Sequence, residues 1–394
     1  AFNPLALILK SSEVLAQGLL IVCCKSFGDL LLPSVERLKV REFISELFAI
    51  ARSSRFTPYE HGVSVTLPTG ESITVKIETT SKSLRPIGLR FSPFSFMTEV
   101  SAGDIRSTGF GEASTQLVAL QKSIAEGVER LLYKKLKGTK FGSANSNGWA
   151  VHVSREHAFE SAINELVERD TVLVHWLGQI PMKEVAPSSW PTWLTHWTQN
   201  ELRLAPTFNF LRILVSSRGY TPTVTTVLRS DGGNAVLSHA SAKTFEDALT
   251  KALAETCRIA QIALEGNHFE SSAQLAQTGN IEAIISPEDH AMYYAFHEPL
   301  PRWIFGECVR WNKISSQWKQ QNKIFQASTK SKLNFKFYQV ASGPLTAGYA
   351  KSDLIQSLYF GRTQDALARG LINIGRLETV VPRGEIYSMP HWVP

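Results

Sequence analysis

Apolar positions along this chain change period several times, and each change marks an element. Over residues 34–52 they recur at helical spacing, with Leu38, Phe43, Ile44, Leu47 and Phe48 forming a stripe behind Ser34, a candidate N-cap. This predicts an amphipathic helix inside an N-terminal helical region covering 1–58, ahead of a main domain covering 59–394. From 62 to 79 alternation takes over. Val63, Val65 and Leu67, then Ile73, Val75 and Ile77, flank a Pro68-Thr69-Gly70 turn, the pattern of an antiparallel hairpin.

Helical period returns over 114–137 and again over 155–177. Between them, 138–148 is rich in Gly, Ser and Asn. Its last residues, Ser146-Asn147-Gly148, could turn backbone and amide groups toward a base or phosphate, and a plain loop fits the composition equally well. The Trp- and Pro-crowded segment 190–197 either caps a core edge or frames a peptide groove. Strand-like runs at 211–216 and 221–228 and the turn Asp231-Gly232-Gly233-Asn234 predict a second hairpin, leading to a third long helix from 243 to about 264. The fold class expected is α/β (α+β), with mixed sheets flanked by long helices.

Composition narrows the setting. At 394 residues and 43% hydrophobic content the chain can bury a large core. Its net charge of +6 favours anionic partners, such as nucleotide phosphates or an acidic peptide, without indicating nucleic acid. Cys23, Cys24, Cys257 and Cys308 form no Cys-x-x-Cys pair and have no His at ligand spacing, so neither a structural zinc nor a disulfide framework is expected. A reducing cytoplasm suits them. The apolar run 18–24 is far short of the ~20 residues that span a bilayer, and no signal peptide or membrane anchor is read. From 310 to 351 there is no acidic residue, while Lys313, Lys319, Lys323, Lys330, Lys332 and Lys336 accumulate. A solvated face is the ordinary reading; a docking surface for an acidic peptide, with Phe335, Phe337 and Tyr338 on its strand, is the sharper one. RNA binding lacks the usual aromatic and glycine motif.

The candidate chemistry lies in a repeat. Ser123-Ile-Ala-Glu126-Gly-Val-Glu129-Arg130 and Ser161-Ala-Ile-Asn-Glu165-Leu-Val-Glu168-Arg169-Asp170 both contain Glu-x-x-Glu-Arg at mid-helix. At about 100° per residue, the three charged side chains of each copy share one face. Each Glu-to-Arg pair at i,i+4 is also an ordinary helix salt bridge worth a few tenths of a kcal/mol. Two such faces turned together would gather four carboxylates and two guanidinium groups, an arrangement that needs cations because like charges repel and burial penalises them. Mg2+ carrying nucleotide phosphates meets that need. The third helix carries Glu255 and Arg258. No Gly-x-x-x-x-Gly-Lys-Ser/Thr sequence or glycine-rich dinucleotide fingerprint is present, so the expected site is neither a P-loop nor a dinucleotide fold.

These residues resemble the YcaO-domain proteins from about residue 60 onward. The likeness rests on Arg106-Ser107-Thr108-Gly109-Phe110-Gly111, read as a turn, on the two Glu-rich motifs, and on Ser146-Asn147-Gly148-Trp149-Ala150. It continues through Ala252-Leu253-Ala254-Glu255 with Arg258, Asp289-His290 before Tyr293, Leu358-Tyr359-Phe360-Gly361 and Pro390-His391-Trp392-Val393-Pro394. The resemblance implies ATP held between helical faces through Mg2+, with Glu126, Glu129, Glu165, Glu168 and Glu255 near the metals. It places Arg130, Arg169 and Arg258 on phosphate or carboxylates, and Ser123 and Asn147 on the nucleotide. Arg258 and the terminal carboxylate of Pro394 are the implied catalytic groups. Departures from the family pattern are Phe110 in place of Lys, Arg258 in place of Gln, and Trp392 in place of a middle tail proline.

The implied activity is ATP-dependent cyclisation of Cys, Ser or Thr in a ribosomally made precursor peptide to thiazoline or oxazoline. Backbone thioamide or amidine formation, or a scaffold subunit without chemistry, are the alternatives. Implied partners are the precursor, a leader-binding adenylating-enzyme-like subunit, and a flavin-dependent dehydrogenase that would carry FMN.

Overall fold

The computed structural model describes residues 59–80, 94–113, 115–143, 145–205, 207–216, 218–265, 280–325, 330–381 and 386–391, all within one compact unit, Leu47–Pro394. The expected helix over 34–52 lies outside these residues, as do Trp392, Val393 and Pro394. In chain order the unit opens with strands β1 (Tyr59–Thr66), β2 (Ser72–Thr80), β3 (Phe94–Ala102) and β4 (Ile105–Ala113), then helix α1 (Gln116–Leu136). Next come β5 (Trp149–His152), α2 (Arg155–Leu177), β6 (Met182–Val185) and α3 (Thr192–Asn200). After β7 (Phe210–Val215), β8 (Val224–Arg229) and β9 (Ala235–Ala240) follow α4 (Phe245–Glu265) and α5 (Pro287–Phe296). The unit closes with β10 (Phe305–Val309), α6 (Trp311–Ile324), β11 (Lys336–Ala341), β12 (Thr346–Lys351), α7 (Thr363–Ala368) and α8 (Ile374–Glu378).

These elements build three sheets: β1-β2-β3-β4, β10-β6-β7-β8-β9 and β11-β12-β5. The expected hairpin is β1–β2, with Val63 opposite Val75 and Val65 opposite Ile73. The second sheet is mixed, since β10 runs parallel to β6 while the remaining pairs are antiparallel. Its core joins Trp197, Phe208, Phe245, Trp311 and Trp318 between the sheet and α3, α4 and α6. Leu194 and Trp197 are fully buried there, so the Trp-rich segment is packing and does not frame a groove.

Two sequence expectations are corrected. The segment Arg106 to Gly111 is not a turn but part of strand β4. Its glycines serve close approach instead: a Cβ on Gly109 would fall 2.0 Å from Ser123 O, and one on Gly111 would fall 1.9 Å from Ala119 O. Helix α1 can therefore lie directly on the strand. The turn at 231–234 joins β8 to β9, a strand that the sequence reading lacked. Every residue of β9 is buried, so it shows no alternation to detect.

Candidate functional site

Strand β4 is the outer strand of its sheet, and α1 covers its free backbone with side chains four residues apart. Lys122 Nζ donates to Glu112 O at 3.0 Å, and Phe110 N donates to Glu126 Oε2 at 2.6 Å. One and two turns further on, Arg130 Nη1 donates to Thr108 O at 3.3 Å and Lys134 Nζ to Arg106 O at 2.9 Å. Glu126 also pairs with Arg130 at 2.6 Å. The first motif is thus fixed by a strand edge on one side, which leaves Glu129 to face inward.

On α2, Arg169 pairs with Glu165 at 3.1 Å, and Glu165 accepts the backbone N–H of Gly148. Gly148 has φ +73°, and a Cβ there would sit 2.6 Å from the Leu166 side chain, so this turn requires glycine. Glu168 accepts the Ser241 N–H at 2.6 Å, just past β9. On α4, Arg258 pairs with Glu255 at 3.2 Å, and its guanidinium lies 5.7 Å from the centre of the Phe110 ring. The ordinary helix ion pairs are present in all three helices.

They leave much of the negative charge uncompensated. Burial pushes the Glu129 carboxyl well above its usual value, and Glu165 and Glu126 add to this against Arg130 and Arg169. Burial also raises Glu165; Arg169 and the Gly148 N–H oppose it, while Glu255 and Glu126 reinforce it. Glu168 is pushed up to about 8 by burial, with the Ser241 N–H pulling down and Glu255 pushing up. At Glu255 burial is outweighed by Arg258, with Arg169 helping, and the carboxyl stays below its usual range. These repulsions cross from helix to helix, so the carboxylates of α1, α2 and α4 form one cluster. The side chains of Glu126 and Glu165 are each 26% exposed and that of Glu255 is 38% exposed, so the cluster is accessible to a ligand.

The donor set suits a hard cation. Mg2+ takes oxygen ligands and offsets clustered carboxylates. Among the described residues no three Asp, Glu, His or Cys groups are gathered to hold one ion, which suits Mg2+ held by one or two carboxylates with phosphate oxygens and water completing its shell. A second mark of a ligand is Asn147. It is 4% exposed, and neither its Nδ2 nor its Oδ1 has a hydrogen-bond partner. An amide left unpaired in the interior costs free energy, and a group offering both an acceptor and a donor would satisfy it.

Ser123 departs from expectation. Its hydroxyl is fully buried against β3, bonded to Thr98 Oγ1 at 2.7 Å and to Leu120 O at 2.9 Å, and is not free for a nucleotide. Pro394 lies outside the described residues. Sequence reasoning missed Glu112, Lys122 and His239. Burial raises Glu112, which also feels Arg258, Glu255 and Glu126, while burial and Lys251 lower Lys122. His239 is held near 4 by burial, so it is neutral, and its Nε2 at 3.7 Å from Glu168 is beyond hydrogen-bond range. Alternation along β4 would have put Glu112 beside Phe110; nothing comparable marks His239.

A family model described as YcaO cyclodehydratase, ATP- and Mg2+-binding, matches residues 128–333, just over half of the chain. The chain belongs to the YcaO family. It is accordingly an ATP- and Mg2+-dependent enzyme of the cyclodehydratase type. No curated protein matches it. Among solved structures, YcaO from Methanopyrus kandleri bound with AMPPCP and Mg2+ is 13% identical, with 80% of this chain and 90% of that one covered and a TM-score of 0.45. The E. coli microcin synthetase McbBCD complex is 13% identical over 70% of this chain and 87% of that one, with a TM-score of 0.43. A heterocyclase in complex with substrate and cofactor is 13% identical over 74% and 49%, with a TM-score of 0.43. Within this YcaO chain, no described helix is long and apolar enough to cross a membrane.

Proposed function

We propose that this chain converts Cys, Ser or Thr residues of a ribosomally made precursor peptide to thiazoline or oxazoline rings, as a subunit of an azole-forming bacteriocin synthetase. The observation that supports this reading is the meeting of undercompensated carboxylates from α1, α2 and α4, with the unpaired amide of Asn147 one residue before Gly148, whose N–H binds Glu165. Glu126, Glu129, Glu165, Glu168 and Glu255 would hold Mg2+. Arg130, Arg169 and Arg258 offer planar guanidinium forks to phosphate oxygens, and Asn147 offers a donor and an acceptor to the nucleotide. When bound, Mg2+ and ATP supply neutralising charge and a transferable phosphoryl group.

The side-chain thiol or hydroxyl attacks the preceding amide carbon and loses its proton; the oxygen so formed takes the γ-phosphoryl group, releasing ADP. Phosphate then leaves with loss of the amide N–H proton, closing the C=N bond. The peptide has lost one water, and ATP has become ADP and phosphate. Arginines beside the developing negative charge lower the barrier, and alignment of the peptide supplies much of the remainder. Where Pro394 ends the mature chain, its carboxylate is the proton acceptor that the family resemblance implies. Leader capture on a separate subunit, and later oxidation of the rings by a flavin-dependent dehydrogenase, extend the reading on the same resemblance alone.

The test combines the chain with precursor, partner subunit, ATP and Mg2+. Loss of about one water mass per modified residue is expected. Gain of sulfur would point to thioamide formation instead, and ATP turnover unchanged by Glu168→Ala would point to a scaffold.

A further inference from the structure

Three consecutive carbonyls near the end of the described chain are each taken by a buried donor. Trp176 Nε1 donates to Met389 O at 3.1 Å, Tyr294 Oη to Pro390 O at 2.5 Å, and His290 Nδ1 to His391 O at 2.6 Å. The His290 tautomer follows from its other nitrogen, because Nε2 accepts the Gly361 N–H at 3.0 Å and the proton must be on Nδ1. His391, itself fully buried, donates through Nε2 to Tyr359 O at 2.5 Å. Three of the four bonds to the segment hold its backbone carbonyls, so they fix its path and register whatever its side chains.

The same contacts lead to the candidate site. Asn147 N donates to Asn145 Oδ1 at 3.1 Å, and Asn145 Nδ2 donates to Leu358 O at 2.6 Å, one residue before the carbonyl that holds His391. Arg169 and His239 are among the charged and titratable neighbours that His391 feels. The backbone N–H of Asn147 is thus tied through Asn145 to Leu358 O, and the next carbonyl, Tyr359 O, is tied to His391, so the loop carrying Asn147 and the clamped segment share the strip 358–361. None of the three clamp donors is among the carboxylates and arginines assigned to ligand binding.

We propose that Trp176, Tyr294 and His290 form a clamp that holds residues 386–391 against the strip supporting the Asn147 loop, so that nucleotide occupancy and clamping of this segment stabilise each other. The inference rests on the nucleotide reading above. Linkage makes the coupling reciprocal: if clamping tightens nucleotide binding, nucleotide must tighten the clamp by the same factor. The clamp donors are positioning residues, acting through backbone geometry.

Hydrogen exchange on the full chain, with and without saturating AMPPCP and Mg2+, tests this directly. Nucleotide should slow exchange in peptides from α1 and α2 and also in 386–391. Tyr294→Phe, which removes one hydroxyl, should weaken AMPPCP binding by roughly 3–10-fold and abolish the nucleotide-dependent protection of 386–391. His290→Leu should do the same, with the thermal midpoint recorded for both so that a folding defect is recognised. Protection of α1 and α2 without any change at 386–391 in the unaltered chain would overturn the clamp and leave the nucleotide site standing. Protection nowhere would remove both.

Discussion

Two buried groups of charge sit two residues apart on α2 and are finished in opposite ways. Asp170 is wholly enclosed, and Arg376 grips it with a fork, Nε to Oδ1 at 3.0 Å and Nη2 to Oδ2 at 2.8 Å. The Gln356 N–H adds a bond at 2.7 Å, and the guanidinium stacks on Tyr220 at 4.0 Å. Burial still pushes the Asp170 carboxyl up, but the charge and hydrogen bonds of Arg376 pull against it. Glu168, on the other side of the same helix, has one backbone N–H, the attraction of Arg169 without a hydrogen bond from it, a neutral histidine out of range, and two carboxylates that repel it. This chain can complete a buried carboxylate with its own atoms. Where it leaves several incomplete together, the missing partner comes from outside.

Replacing Asp170 should give the largest effect on stability. Asp170→Ala leaves a buried guanidinium without its counter-charge, and a loss of about 3–5 kcal/mol is expected in urea unfolding. A loss near zero would mean that the pair is not buried in solution. Pairing Asp170→Leu with Arg376→Met should restore much of it, because an apolar pair of similar volume avoids the desolvation cost. Glu168→Ala should do the reverse. Removing one member of a repelling cluster should leave urea stability unchanged or higher, while hydrolysis of ATP with Mg2+ falls by roughly 100-fold or more. If Glu168→Ala destabilises as Asp170→Ala does, the distinction between completed and open carboxylates fails.

Much of this contrast was legible in sequence. The hairpin at 62–79 and the helices carrying the motifs follow from apolar period, and the repeated Glu-x-x-Glu-Arg spacing located the carboxylates that meet. Ser123, which the family resemblance puts on the nucleotide, lies in the buried stripe of Leu120, Ile124, Gly127 and Leu131 that faces the sheet. Glycines at 109 and 111 read as a turn because their usual work is backbone freedom, whereas here they make room for a helix. His239 and Ser241 follow from the position of a strand buried on both sides, which gives no alternation. The Asp170–Arg376 pair spans more than half of the chain, and only the tertiary structure brings it together.

The tail clamp adds a third way to bury a titratable group, by keeping it neutral. Burial lowers His290 to about 4 and takes His391 well below its usual value, with His290 contributing. A histidine whose folded value is depressed contributes stability that is present above its unfolded value, near 6.5, and is lost as pH falls toward the folded one. From about pH 7 to about pH 5, His290 alone should remove about 2 kcal/mol of stability. Unfolding midpoints in urea across that window, compared with those of His290→Leu, would show a shallower slope in the variant. An identical slope would mean that this imidazole titrates normally.

Asn147 should give the smallest change and the most direct reading of a nucleotide contact. No protein group pairs with its buried amide, so the fold itself does not offset the cost of desolvating it. Asn147→Ala removes that cost together with some packing, and the two largely cancel, so stability should change by less than about 1 kcal/mol. Nucleotide binding has no such cancellation. A ligand that satisfies both ends of the amide loses those bonds in the variant, and AMPPCP affinity measured by calorimetry should fall by about 10-fold. Asp170→Ala, judged on whatever fraction stays folded, should keep its nucleotide affinity because Asp170 is taken up by Arg376 and Gln356 rather than by the glutamate cluster. The pair of measurements thus separates a polar group kept for a ligand from one kept for the fold. Equal affinity in Asn147→Ala and the unaltered chain would show that the unpaired amide is not a nucleotide contact.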